Sequence, residues 1–290
     1  MPNKLIALSL CFLALAACKK KEVPAPAADT ATTSSLAPAP QPEPAPKTAT
    51  PQPTVTLAAG APIPAQGVAL WLAADDAQPG KLASWTNSAV AGVTATASKP
   101  EEQPEVVANA IGGHKAVRFD GEQNILMTNV DISPARMPEA TIFAVFNSKT
   151  DAKTPLRKLY GDDNGGYDRA AGLDDRAENH NYTVFTGNGV NGYFDIKPNE
   201  NTITSDVFSS NEFNGWVNGK KMADKVAAAW GANPDDALPN LYLGGTGTSY
   251  HEPWQGDLAE IIVYGRVLSD QERMQVEDYL AKKYGVTLAR

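Results

Sequence analysis

The sequence contains very little cysteine or histidine. Its 290 residues include only two cysteines, Cys11 and Cys18, and three widely separated histidines. No His-x-x-x-His pair is present, so the common spacing of a helical zinc site is missing, and Gly-x-Ser-x-Gly is absent as well. These absences argue against a thiol nucleophile, a histidine metal site of that kind and the hydrolases that use a serine elbow.

An excess of positive charge is also lacking. The chain has 25 lysines and arginines against 33 aspartates and glutamates, which gives a formal net charge of −8. Proteins that bind nucleic acid usually present a basic stripe or patch, and none is visible here. We therefore expect no nucleic-acid partner.

The apolar run at the amino terminus is too short for a mature membrane span. It covers residues 5–17, whereas a spanning helix needs roughly 20 apolar residues. It follows Lys4 and ends in small residues, which is typical of a secretory signal peptide. We predict a signal peptide over residues 1–17.

The tetrapeptide Leu15-Ala16-Ala17-Cys18 resembles the lipobox of bacterial lipoproteins. The resemblance implies diacylglycerol on the Cys18 thiol, cleavage before it and a further acyl chain, such as palmitate, on its amino group. Residues 18–21 then form a membrane anchor whose three lysines can contact anionic headgroups. No Asp follows the cysteine, which implies the outer membrane. The alternative is an ordinary signal peptide that ends beside a chance cysteine.

Residues 22–65 have the composition of a linker. Eleven of the 22 prolines lie in residues 22–64, among alanines and few large apolar side chains. Such a segment cannot offset its ordering entropy, so we predict a disordered tether. Its reach as polyproline II is on the order of 130 Å.

Residues 66–290 are predicted to form one all-β domain. Short apolar or alternating runs mark strands, which are at residues 68–72, 116–120, 141–146, 213–217, 241–243 and 258–264. Asn218-Gly219 predicts a type I′ hairpin turn. Ser269 and Glu272 form a capping box for one C-terminal helix, which Gly285 can end. The pattern favours a sandwich or jelly roll closed by this helix.

The segment 256–269, Gly-Asp-Leu-Ala-Glu-Ile-Ile-Val-Tyr-Gly-Arg-Val-Leu-Ser, resembles the closing strand of bacterial laminin G-like domains. These are concanavalin A-like lectin/glucanase jelly-roll sandwiches. Leu70-Trp71-Leu72 and residues 116–121 agree with the resemblance. It implies the fold for residues 66–290, but lectins, adhesion modules and glycosidases share that fold.

The glucanase motif Glu-x-Asp-x-x-Glu, which that superfamily uses for catalysis, is absent. Asp257 and Glu260 come nearest, but strand alternation would place them on opposite faces, and we interpret them as surface charges at a strand start. We therefore expect no enzymatic activity.

Residues 161–176 contain a candidate metal site. This stretch contains Asp162, Asp163 and Asp168 among glycines, and oxygen ligands on a pliable loop suit calcium. Its spacing is not that of an EF-hand. The alternative is a polar loop in which carboxylates such as Asp174 pair with Arg169 or Arg176.

An aromatic platform for sugar is suggested by Trp254 together with Tyr250 and His251, in a turn-rich segment. Packing of Trp254 in the core is the competing interpretation, since a strand follows at once. Trp71, Trp85 and Trp216 are interpreted as core or strand residues.

Three functions remain open. The first, which we favour, is an anchored, non-catalytic domain that binds carbohydrate or another extracellular ligand. The second is a structural lipoprotein that binds a protein partner through a broad apolar patch. The third is a glycosidase with two close carboxylates in a cleft and shifted pKa values.

Overall fold

Two antiparallel sheets make up most of the domain. The computed structural model describes residues 57, 60–87, 90–150, 156–162, 169–174, 181–187, 189–229, 240–247 and 252–290. The strands are β1 (Val68–Ala73), β2 (Gly80–Lys81), β3 (Ser84–Asn87), β4 (Val90–Thr96), β5 (Glu105–Ile111), β6 (His114–Asp120), β7 (Leu126–Asp131), β8 (Ala140–Ser148), β9 (Arg157–Gly161), β10 (Ala170–Leu173), β11 (Tyr182–Phe185), β12 (Val190–Phe194), β13 (Thr202–Phe208), β14 (Glu212–Val217), β15 (Lys220–Ala227), β16 (Asn240–Leu243) and β17 (Gln255–Tyr264). One α-helix, α1 (Asp270–Tyr284), follows, and short 3₁₀ turns lie at Ala74–Asp76 and Pro100–Glu102.

The strand order defines a sandwich. The nine-stranded sheet runs β15-β14-β13-β8-β17-β6-β5-β2, with β1 paired to β17 beside β6. The eight-stranded sheet runs β12-β11-β10-β9-β16-β7-β4-β3. The all-β sandwich with one C-terminal helix, expected from the sequence, is confirmed.

The core lies between the two sheets and is rich in aromatic rings. Phe146 of β8 stacks on Tyr182 of β11, with ring centroids 5.5 Å apart. All nine residues of β8 are buried, because the strand is central in its sheet and covered on both faces. The predicted strand at residues 141–146 is therefore confirmed, and so is the burial of the three tryptophans Trp71, Trp85 and Trp216.

Local turn and cap signals are confirmed as well. Asn218 and Gly219 have φ angles of 47° and 79°, which a type I′ turn requires, and they join β14 to β15. Ser269 accepts the backbone N–H of Glu272, and the Glu272 side chain accepts the backbone N–H of Ser269. Gly285 ends α1 in the left-handed conformation at φ 67°. The helix packs on the outer face of the nine-stranded sheet, where Ser205 of β13 donates to Glu277 at 2.9 Å.

The interpretation of Asp257 and Glu260 as surface charges on opposite strand faces is wrong. Both are fully buried. A bulge in β17 between Leu258 and Glu260 shifts the alternation by one residue, so both carboxylates lie on the outer face of the nine-stranded sheet. Asp257 accepts two hydrogen bonds from Arg118, at 2.7 and 2.9 Å.

Glu260 is covered by α1 and β1. Its carboxylate accepts hydrogen bonds from Trp71, Tyr279, Lys283 and Tyr284, at distances of 2.6 to 3.0 Å. A buried charge is tolerated only with such partners, so this carboxylate fastens the helix to the sheet.

No helix in the described part of the chain is long and apolar enough to cross a membrane.

Candidate functional site

A cavity of about 480 Å³ opens on the outward face of the eight-stranded sheet. We call it the Tyr242 cavity. Its described lining comes from three strands and three loops and comprises Thr96, Ser98, Lys99, Glu101, Glu102, Gln123, Ile125, Met127, Tyr242 and Gly247. Its size lies within the roughly 300–1,000 Å³ typical of small-ligand sites.

The floor of the cavity is a row of registered residues on three adjacent strands. Met127 of β7 pairs with Thr96 of β4 on one side and with Tyr242 of β16 on the other. Strand alternation turns these residues away from the core, because Leu241 and Leu243, which flank Tyr242, are fully buried. Met127 is 36% exposed. The floor thus offers a tyrosine ring and a thioether side chain to the solvent.

Gly247 packs closely against the Tyr242 ring. Its φ is +70°, and a Cβ at this position would come within 2.4 to 2.6 Å of three ring atoms of Tyr242. A side chain is therefore excluded both by backbone conformation and by the ring. The glycine therefore leaves room for the ring on the floor of the cavity.

The two walls of the cavity are hydrogen-bonded to each other. The backbone N–H of Ile125 donates to the Glu102 carbonyl at 3.0 Å. The Asn124 side chain, 3% exposed, donates to the Gln103 carbonyl at 3.2 Å and accepts the Asp120 N–H at 3.1 Å. This bonding joins the β6–β7 turn to the 3₁₀ turn Pro100–Glu102, so the walls are preorganised.

Carboxylates dominate the charge of the lining. Glu102 accepts the backbone N–H of Ser98 at 3.0 Å, and its other oxygen lies 3.8 Å from the Lys99 ammonium. Partial burial, together with the nearby Glu102 carboxylate, raises the pKa of the Tyr242 hydroxyl above its ordinary value. The hydroxyl therefore stays protonated near neutral pH and can donate a hydrogen bond.

The arrangement combines an apolar floor with acceptors and donors at its rim. A sugar ring has the complementary character, because its C–H face packs on an aromatic side chain while its hydroxyls seek polar partners. The geometry therefore suits a polyhydroxylated ligand.

The prediction of Trp254 as an exposed platform is wrong. Its side chain is fully buried, and its ring meets Phe146 edge-on at 5.6 Å. The backbone N–H of Trp254 donates to the Gly244 carbonyl at 3.0 Å, which turns the residue inward just before β17. A Cβ on Gly256 would lie 2.7 Å from the indole nitrogen, so that glycine leaves room for the ring. Tyr250 and His251, the other two platform residues, lie outside the described residues.

The predicted calcium ligands are only partly described. Asp162 is fully buried, and its Oδ1 accepts the backbone N–H of Arg169 at 2.8 Å. Asp163 and Asp168 lie outside the described residues. Within the described ranges, no group of three or more His, Cys, Asp or Glu side chains is placed to hold a metal ion. Calcium therefore stays a prediction.

The alternative pairing for this loop involves residues of which Asp168 and Arg176 lie outside the described residues, so it stays a prediction. Asp174 forms a fully buried ion pair with Lys158 at 3.0 Å. The Arg169 guanidinium donates to the backbone carbonyls of Ile132, Met137 and Pro138. Burial lowers the pKa of Arg169 to about 10.

A second group with a shifted pKa lies inside the sandwich. Burial raises the pKa of the Asp206 carboxyl to about 6. Its two oxygens accept the hydroxyls of Tyr160 and Tyr193, each at 2.6 Å. These three side chains are almost completely buried between the sheets. A ligand on either outer face does not reach them, so their role is structural.

Tyr242 is the principal residue that sequence reasoning missed. A signal was present, because it alternates with Leu241 and Leu243 in a predicted strand and a glycine-rich segment follows. Its neighbours on the floor come from sequence positions 96 and 127, and no local pattern connects these three positions.

No protein-family model matches the sequence, and no curated protein matches it significantly. The fold is similar to solved sialidase structures from Trypanosoma rangeli. For the sialidase in complex with sialic acid, the TM-score is 0.54 and the identity 15%, with 76% of this chain and 34% of that chain covered. For a mutant of that sialidase displaying trans-sialidase activity, the values are 0.52 and 16%, with 78% and 34% covered. The chain thus spans about a third of the length of these structures, and the likeness shows the β-sandwich fold alone.

Proposed function

We propose that residues 66–290 form a non-catalytic domain that binds carbohydrate in the Tyr242 cavity. One observation carries the proposal. A tyrosine ring packed against a glycine lies on the floor of an outward cavity whose rim is rich in hydrogen-bonding groups. The similarity to a sialidase in complex with sialic acid concerns the fold, so the proposal rests on the cavity.

The positions of the carboxylates support binding without cleavage. A glycosidase needs two carboxyl groups that flank the scissile bond. Glu101 and Glu102 are successive residues of the 3₁₀ turn Pro100–Glu102 and so belong to one wall of the cavity. Glu102 is further engaged by Ser98 and Lys99. These features suit hydrogen bonding to a ligand better than acid–base catalysis.

The anchoring of the domain is part of the proposal and is supported by the sequence alone. Lipid on Cys18 would hold the chain at the outer membrane, and the proline-rich residues 22–65 would extend the domain from it.

A protein partner is less well supported. The most exposed large hydrophobic side chains in the described ranges are Met127, Met222 and Val267, each 36% exposed, and they belong to different elements.

The test uses the full chain, purified in detergent, on a glycan array and in polysaccharide pull-downs. Tyr242→Ala removes the ring and is expected to weaken binding about tenfold or more, since burying an aromatic side chain contributes roughly 1.5–3 kcal/mol. Tyr242→Phe keeps the ring and should retain most of the affinity.

Two methionines give a matched control. Met127 and Met222 have the same exposure, but Met127 lies in the cavity and Met222 lies on β15 of the other sheet. Met127→Ala should weaken binding, and Met222→Ala should leave it unchanged. Absence of any bound glycan, or equal binding by Tyr242→Ala, would refute the proposal. Release of reducing ends from a bound polysaccharide would refute its non-catalytic part.

A further inference from the structure

The described lining of the Tyr242 cavity carries more negative than positive charge. Glu101 and Glu102 supply two carboxylates, Lys99 supplies one ammonium, and no arginine is among the described lining residues. The Lys99 ammonium is exposed and lies 3.8 Å from Glu102. The described lining therefore has a net charge equal to that of one carboxylate.

Glu101 is the carboxylate that a ligand can use. Its side chain is exposed at the rim, and no ion pair within the described residues involves it. The Asn124 side chain stabilises the 3₁₀ turn that contains Glu101. Its amide nitrogen donates to the backbone carbonyls of Glu101 and Gln103, at 3.5 and 3.2 Å. An ionised carboxylate only accepts hydrogen bonds, and such charge-assisted bonds are stronger than neutral ones.

Sugar hydroxyls and sugar carboxylates respond to such a rim in opposite ways. A hydroxyl donates to a carboxylate and is stabilised by it. A uronic or sialic acid carries its own carboxylate at neutral pH and is repelled by Glu101 and Glu102, with no guanidinium in the described lining to pair with it. The ligand of the similar sialidase structure, sialic acid, belongs to this disfavoured class.

We propose that the Tyr242 cavity selects neutral glycans over acidic ones and that Glu101 and Glu102 set this selectivity. The inference rests on the proposed function, because it names the class of carbohydrate that the same cavity binds. A neutral sugar gains acceptors at the rim, whereas its carboxylated counterpart meets like charge.

The experiment compares matched pairs of glycans that differ in charge. The pairs are β-1,4-glucan and α-1,4-glucan oligosaccharides with their C6-oxidised forms, and methyl-esterified with free oligogalacturonides. Dissociation constants are measured by titration of the full chain in detergent. We expect the neutral member of a bound pair to bind about tenfold more tightly at low salt. The difference should shrink near 1 M salt, where the screening length is about 3 Å.

The double variant E101Q/E102Q tests the assignment to these residues. It keeps side-chain acceptors but removes both charges, so the acidic member of the pair should gain about tenfold in affinity relative to the neutral one. Glu139→Gln is the control, because it removes an exposed carboxylate that does not line the cavity. Its selectivity should equal that of the wild type. If Glu139→Gln reduced the preference for neutral glycans as much as E101Q/E102Q does, the assignment would be overturned, because the net charge of the protein would then explain the preference.

The outcomes separate the two proposals. Tighter binding of the neutral members, abolished in E101Q/E102Q, supports the inference. Equal or tighter binding of acidic glycans, lost in Tyr242→Ala, overturns the inference and leaves carbohydrate binding in place. Absence of binding to every member of the panel refutes the proposed function, and the inference fails with it.

Discussion

Replacing Asp206 by asparagine tests the energetics of the polar cluster inside the sandwich. Asp206 lies on β13 with its side chain fully buried, and it accepts the hydroxyls of Tyr160 and Tyr193. Burial raises the pKa of this carboxyl from 3.8 to about 6, although the two tyrosine hydroxyls act in the opposite direction. Asparagine keeps the shape of the protonated acid and cannot ionise.

The raised pKa of Asp206 determines how its contribution to stability changes with pH. Because the folded-state pKa lies above the unfolded value, the folded state of Asp206 binds more protons. Its contribution to stability is fully present below about pH 3.8 and is lost as the pH rises through about 6. A shift of about two units corresponds to ~3 kcal/mol in total, and about half of it is lost between pH 5 and pH 8.

The assay is urea unfolding of the wild type and Asp206→Asn at pH 5 and pH 8. The free energy of unfolding of the variant, relative to wild type, should rise by about 1.4 kcal/mol from pH 5 to pH 8. Groups that both proteins share cancel in this difference. Glu139→Gln removes an exposed carboxylate and should show no such change. A relative stability of Asp206→Asn that is the same at both pH values would refute the reasoning.

Four further measurements test the walls, the cap and the metal. Gly247→Ala should lower the free energy of unfolding by ~1 kcal/mol or more, and the melting temperature with it, because the new Cβ displaces the Tyr242 ring. Glycan binding should weaken for the same reason, and unchanged binding would contradict the role of that ring. Asn124→Ala should cost about 1–3 kcal/mol in urea unfolding and also weaken binding, since the side-chain bond across the walls to the Gln103 carbonyl and the bond from the Asp120 N–H are lost. Ser269→Ala should cost about 1 kcal/mol in thermal unfolding but leave binding unchanged. EDTA should lower the melting temperature if calcium is bound by residues 162–168, and an unchanged value would contradict the calcium prediction.

The parts of the fold that depend on local sequence were predictable. The hairpin at Asn218-Gly219 and the cap at Ser269 follow from preferences of two to four neighbouring residues, and the structure confirms both. The central position of residues 141–146 followed from their uninterrupted apolar character. These signals act over short distances along the chain, so no knowledge of sheet pairing was needed.

Features that depend on pairing between distant strands were not predictable. The bulge in β17 reverses the faces expected from alternation, and only the register with β8 reveals it. Trp254 turned out to be core because Phe146, more than a hundred residues away, packs against it. The Tyr242 cavity likewise needs β4, β7 and β16 to be neighbours, which the sequence does not show.

The pairing of β1 with β17 determines where mechanical load enters the domain. The chain reaches β1 through Pro64 and Gln66, whose carbonyls accept the Tyr264 hydroxyl and the Arg266 guanidinium at 3.0 Å each. These contacts belong to the nine-stranded sheet, whereas the cavity opens on the opposite side of the sandwich, on the eight-stranded sheet. Tension on the amino-terminal side would therefore act on the β1–β17 ladder, where this end of the chain joins the nine-stranded sheet. If residues 22–65 tether the domain as proposed, the force would enter through this ladder, on the sheet opposite the floor of the Tyr242 cavity.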